Sequence, residues 1–333
     1  MKKILAFFLC CFMALSTAAC SGEETGNQGG AGSGANNESS QTTESTTEST
    51  TESATESASE SSEEESPLTQ KPDDTQQSGP VSFEPVTAVD NDACSIVITG
   101  LEYDDIWGYT LTVELENKSD DVTYMYSVDT ATVNGVQCYG VLATEVAPGK
   151  KANDEISFMD SILEDYDIGN FTDVGLSFRV YDTDDWSADP VAEESVHVYP
   201  YGEDKAVKYE REPESTDTVV VDNDTAKVVI LGTEYDDIWG YTVKVYMENK
   251  TDRTLMFTTE DVSVNGYMAD PYYAMELAPG ACTFDGISWS DSTLEENKIE
   301  EVESIEMIIR AYDSNNWTGD DLVSEKVTYE PAE

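Results

Sequence analysis

The chain has 333 residues, 69 of them acidic and 17 basic, for a formal net charge of −52. Such a field repels phosphate, which excludes recognition of bare DNA or RNA through a basic footprint. A single histidine excludes a multi-histidine metal site, whereas 39% apolar and 10% aromatic residues leave enough material for cores in part of the chain.

Lys2 and Lys3 precede an apolar run, Ile4 to Leu15, that is too short to span a bilayer. Small residues then lead into a cysteine: Ser16-Thr17-Ala18-Ala19-Cys20. This resembles the lipobox of bacterial lipoproteins, which implies cleavage after residue 19 and lipidation of Cys20. Two acyl chains anchor stably, at ~0.8 kcal/mol per buried methylene. The alternative is an ordinary secretory signal, with Cys20 a bystander. The expected location is the outer face of the cell membrane.

Residues 20–83 are expected to be a disordered linker. Between 21 and 80 there are 13 acidic residues and one basic residue, Lys71, and the only large apolar side chain is Leu68. Glu44, Glu48, Glu52, Glu56 and Glu60 recur every four positions, but Ser and Thr between them compete for helical hydrogen bonds. With no apolar face to bury, ordering entropy is not recovered. A flexible coil of this length spans about 40–45 Å, and a fully extended one ~200 Å.

The remainder is one unit written twice. Val89-Asp90-Asn91-Asp92 recurs as Val221-Asp222-Asn223-Asp224, and Glu102 to Thr110 recurs unchanged as Glu234 to Thr242. Glu116-Asn117-Lys118 recurs as Glu248-Asn249-Lys250. The offset then falls by one residue, and Asn134-Gly135, Pro148-Gly149, Arg179 and Trp186 match Asn265-Gly266, Pro279-Gly280, Arg310 and Trp317. Apolar residues alternate with a period of two, as in Tyr109, Leu111, Val113 and Leu115 or Val174, Leu176, Phe178 and Val180. Strands are predicted near 94–102, 107–117, 122–127, 130–134, 136–143, 152–158, 173–181 and 192–199. Asn-Gly and Pro-Gly supply turns, and the acidic stretches 160–171 and 291–301 suit a helical turn. The fold expected is all-β: two antiparallel sandwiches, 84–200 and 218–333, joined by a solvated linker, 201–217, that permits relative motion.

The strands ending Glu116 to Asp120 and Glu248 to Asp252, the Asn-Gly hairpin and the Pro-Gly turn resemble the Ig-like, telokin-type domains of Gram-positive surface lipoproteins. That resemblance implies a fold and a location but no reaction. The antibody pattern of paired cysteines around a core Trp is absent.

Candidate sites are few. Asp104, Asp105, Asp236 and Asp237 precede Trp107 and Trp239. Asp182, Asp184 and Asp185 precede Trp186, and Asp313, Asn315 and Asn316 precede Trp317. If the two loops of a copy meet, their oxygens suit Ca²⁺; otherwise these residues bond their own turns. Arg179 and Arg310 are expected to pair with the acids of the first loop. Trp107, Trp186, Trp239 and Trp317 are either ligand contacts or plugs at the sandwich ends. Tyr109 and Tyr241 follow the buried face. Cys94 and Cys138 are either bridged or, like Cys282, small buried residues. His197 has Thr328 as its counterpart, so it is no shared functional group.

The function expected is non-catalytic binding or adhesion by a surface lipoprotein, to a wall polymer, host or protein partner. The alternatives are a calcium-binding sensor module and, less favoured, a wall-glycan hydrolase.

Overall fold

The computed structural model describes residues 83–331, except 105–107, 159–160, 167, 169 and 237. The signal and linker segments, Cys20, Asp105, Trp107 and Asp237 lie outside the described residues. The described chain is almost entirely antiparallel β-structure. None of its helices is long and apolar enough to cross a membrane.

The first copy contains β1 (Val86–Asp90), β2 (Cys94–Asp104), β3 (Gly108–Asn117), β4 (Tyr124–Val133), β5 (Val136–Cys138), β6 (Ala143–Val146), β7 (Lys151–Ser157), α1 (Ser161–Asp165), β8 (Val174–Asp182) and β9 (Ala192–Val198). One sheet runs β1-β2-β3-β7 and the other runs β5-β4-β8-β9, with β6 also on β4. Between them lie Ile96, Leu111, Leu115, Tyr126, Leu176 and Phe178, all essentially inaccessible. The two-residue period places these side chains on one face of each strand.

The second copy repeats the plan. It contains β10 (Thr218–Asp222), β11 (Ala226–Asp236), β12 (Gly240–Asn249), β13 (Leu255–Val264), β14 (Tyr267–Met268), β15 (Ala274–Leu277), β16 (Cys282–Trp289), α2 (Asp291–Glu296), β17 (Ile305–Asp313) and β18 (Val323–Tyr329). β10-β11-β12-β16 faces β14-β13-β17-β18 around a separate core that includes Val245, Phe257, Met307 and Trp289.

Several boundaries differ from the sequence reading. A strand at Val86–Asp90, absent from the expected set, pairs with β2. The two pieces near 122–127 and 130–134 are one strand, β4, interrupted by a register shift between Val128 and Thr130. The stretch 136–143 is the short β5 followed by a crossing segment. The Asn-Gly turns form as expected, with φ of 53° at Asn134 and 84° at Gly135, and 51° and 80° in the second copy. The one-residue change of offset falls between β3 and β4, where Ser119 to Thr123 becomes Thr251 to Thr254.

The expectation of a loose joint is corrected. β16 continues into β5 through a parallel bridge, Cys282 with Val136, so one sheet crosses from copy to copy. Gln137 donates to Glu276 O at 2.6 Å and accepts from Ala278 N at 2.8 Å. Phe284 stacks on Tyr166 with centroids 3.3 Å apart. The connecting segment is itself tied down. Tyr209 N donates to Asn134 O, and Lys208 Nζ donates to Gly280 O. Arg211 grips Asp217 with two hydrogen bonds at 2.6 and 2.7 Å, both side chains being about nine-tenths buried. Its polar composition made this segment read as solvated, but its aromatic and basic side chains fill the joint.

Candidate functional site

The acidic loops do not converge. β3 starts at Gly108, paired with Asp104, and its ten residues span about 30 Å. At its far end Asn117 donates to Val122 O, and the neighbouring Thr123 O accepts from Thr183 N, one residue past Asp182. In the second copy Asp236 pairs with Gly240, while Asp313 meets Arg253 beyond the other end of β12. The loops carrying Asp104 and Asp182 therefore sit at opposite ends of the sheets, as do those carrying Asp236 and Asp313. This corrects the expectation of a joint calcium site.

Asp182, Asp185, Asp236 and Asp313 serve their own turns. Asp182 accepts from Asp184 N, Asp185 from Ser187 Oγ, and Asp313 from Asn315 N. Asp236 accepts from the amides of Ile238 and Trp239 at 2.7 and 2.8 Å. Such bonds are what Asp offers a turn. Among the described residues no three His, Cys, Asp or Glu side chains come together to hold a metal. Adding about 1 mM Ca²⁺ to EDTA-treated protein is accordingly expected to leave Tm unchanged; a site with Kd near 0.1 mM would raise stability by about 1.4 kcal/mol, which a thermal melt would detect.

Three of the candidate tryptophans are not plugs; Trp107 lies outside the described residues. Trp186, Trp239 and Trp317 are 66%, 57% and 77% exposed. They do not share one face: Trp186 and Trp317 follow β8 and β17, at the end opposite the hairpin that carries Trp239. Asp236 shapes that hairpin, and Gly240, at φ 79°, is required because a Cβ there would collide with the Trp289 carbonyl. Tyr272 stacks on Trp239, with centroids 6.4 Å apart and planes 15° from parallel, and is itself 75% exposed. Tyr272 is held by a bridge to Ser288. Sequence reasoning missed Tyr272, because its counterpart is Val141 and matching between copies favours shared residues. Tyr109 is buried as expected, but Tyr241 is only half-buried.

The arginines find other partners than expected. Arg310 makes two bonds to Asp321, at 2.8 and 2.6 Å, and a further one to Glu260. Its guanidinium also lies over Tyr312, as that of Arg179 lies over Tyr181. Cys94, Cys138 and Cys282 are buried and none forms a disulfide. Burial pushes the thiols of Cys94 and Cys282 up to about 11, which removes thiolate reactivity. His197 Nδ1 lies 2.6 Å from Asp173, whose hydrogen bond raises the imidazole pKa against the opposing effect of burial.

Asp285 is the acid most out of place. Its counterpart, Asp154, accepts a hydrogen bond from Thr144, but the corresponding partner in the second copy is Met275. Burial pushes the Asp285 carboxyl up to about 6, partly offset by the Gly286 amide. The folded chain keeps this proton to higher pH than the unfolded chain, so stability falls as pH rises from 3.8 to about 6. Asp285→Asn is expected to raise stability at pH 7 by on the order of 1–3 kcal/mol, with little gain at pH 4; urea unfolding at both pH values checks it.

No protein-family model matches the chain, and no curated protein matches it. Among solved structures it is similar to the exo-chitosanase CsxA of Amycolatopsis orientalis, at 13% identity and a TM-score of 0.21, over 70% of this chain. The chain spans about a quarter (26%) of that protein's length.

Proposed function

We propose that this chain is an exported, lipid-anchored surface protein whose two Ig-like modules, 84–200 and 218–333, bind a partner without catalysing a reaction. The signal-like start and Cys20 supply the anchor in this reading, and the acidic segment 20–83 holds the modules away from the membrane. The observation that carries it is the Trp239–Tyr272 pair, two stacked rings standing in solvent, Trp239 on a hairpin whose turn is closed by Asp236 and Tyr272 on the segment bridged to Ser288. Leaving such rings in water forgoes their burial, and rings of this kind serve as flat anchors when a partner covers them. A wall glycan, whose sugar faces stack on aromatic rings, is the partner class we favour.

Cosedimentation with purified cell wall tests it. The double variant Trp239→Ala, Tyr272→Ala is expected to lose binding by about tenfold or more, as for other central aromatic anchors. Both side chains are largely exposed, so the fold is retained. Undiminished binding would sink this assignment, and binding only to a protein fraction would replace the glycan with a protein partner.

A further inference from the structure

The two copies differ at one end of the sandwich. In the first, the Phe171 ring lies 4.4 Å from that of Tyr109 and 5.1 Å from that of Phe158, and Phe171 is 3% exposed. That end is filled by aromatic packing. In the second copy the counterparts are Val302, Tyr241 and Trp289. The ring lost at position 302 is not replaced, and a cleft of about 380 Å³ lies there, lined by Tyr235, Tyr241 and Val302 among others. The Tyr241 hydroxyl is enclosed, and a polar neighbour in the cleft wall, Thr233, lies close but outside full hydrogen-bonding geometry. Buried hydroxyls without partners are uncommon and costly, so each calls for an explanation.

The charge at this end differs too. Gly169 and Asn170 of the first copy are replaced by Glu300 and Glu301, which line the cleft together with Asp291 and Glu295. Among the described residues no lysine, arginine or histidine lines it. Tyr235 donates to Asp291 at 2.6 Å, so one carboxylate is already positioned. The cleft thus joins an apolar and aromatic floor, an unmet hydroxyl and an acidic rim.

We propose that this cleft is a binding site for a small hydroxylated amine. The ammonium meets the carboxylates of the rim, where charge-assisted hydrogen bonds are strongest. The ligand's hydroxyl satisfies Tyr241, and its carbon face lies on the tyrosine and valine side chains. The site does not depend on the exposed Trp239–Tyr272 pair, so the two assignments stand or fall separately.

Titration calorimetry of the full chain with glucosamine tests the proposal, with N-acetylglucosamine as the match that lacks the charge. Glucosamine is expected to bind, and N-acetylglucosamine to bind at least tenfold more weakly. Val302→Phe restores the ring used by the first copy and is expected to abolish binding. Glu300→Gln with Glu301→Gln, both exposed, is expected to weaken it at least tenfold whether or not Val302→Phe folds. A parallel titration with ethanolamine separates a sugar amine from a lipid headgroup amine as the source, the tighter ligand naming it. The proposal is overturned if neither amine binds, if N-acetylglucosamine binds as well as glucosamine, or if the double glutamine variant binds unchanged.

Discussion

Phe284→Ala is expected to destabilise the chain by about 3–5 kcal/mol and to split its unfolding into two steps. Phe284 is 5% exposed on the outer face of β16. Its ring stacks on Tyr166 and meets Tyr246 at 5.1 Å and Tyr209 at 6.0 Å. It therefore joins one copy, the other copy and the segment between them. Truncation leaves a cavity among three rings that backbone relaxation cannot close, because β16 is pinned beside β5 by the Cys282 to Gly135 hydrogen bond at 2.9 Å. Urea unfolding followed by tryptophan fluorescence and by far-ultraviolet circular dichroism checks this. Coincident curves and a loss below about 1 kcal/mol would show that the joint does not couple the copies.

Asn249→Ala is expected to cost about 3 kcal/mol or more, from the loss of a network in which buried carbonyls lose their donors. Asn249 is 2% exposed. Its amide donates to the carbonyls of Arg253, Leu277 and Ala278, and its oxygen accepts from the Thr251 amide and hydroxyl. Asn117 does the same work in the first copy, reaching Val122 and Val146. Asn249→Asp is expected to be nearly as harmful, because a carboxylate cannot donate to the three carbonyls and brings buried charge. Thermal melts of both variants decide the matter: an aspartate variant with wild-type stability would refute this account.

These two residues show how differently the chain's features could be read. The Glu-Asn-Lys motif was legible as a repeat, and its physical role follows from local bonding. Lys118 reaches back to Asp90 as Lys250 reaches back to Asp222, so the Glu-Asn-Lys and Val-Asp-Asn-Asp motifs meet in space. Phe284 was legible only by contrast. The outward positions of β7 are Lys151, Asn153 and Glu155, and those of β16 are Cys282, Phe284 and Gly286. On the adjoining strand Tyr246 stands where the first copy has Glu114. A polar outer face thus became apolar in one copy, which signals a covered surface. A search for what the copies share passes over such positions, and it passed over Tyr272 and Val302 for the same reason.

Strand identity, turn positions and the duplication were determined by the sequence itself, because a period of two and the positive-φ preference of Asn-Gly are properties of neighbouring residues. The tertiary structure alone decided which loops share an end of the sheets, that Trp186, Trp239 and Trp317 stand in solvent, that the copies are joined through one continuous sheet, and that a cleft opens beside Tyr241. Each of those depends on residues brought together across a hundred positions or across the length of a strand, where alternation carries no information. The joint calcium site failed on such a distance: the aspartates have the right chemistry, but about 30 Å of strand separates the two loops of each copy.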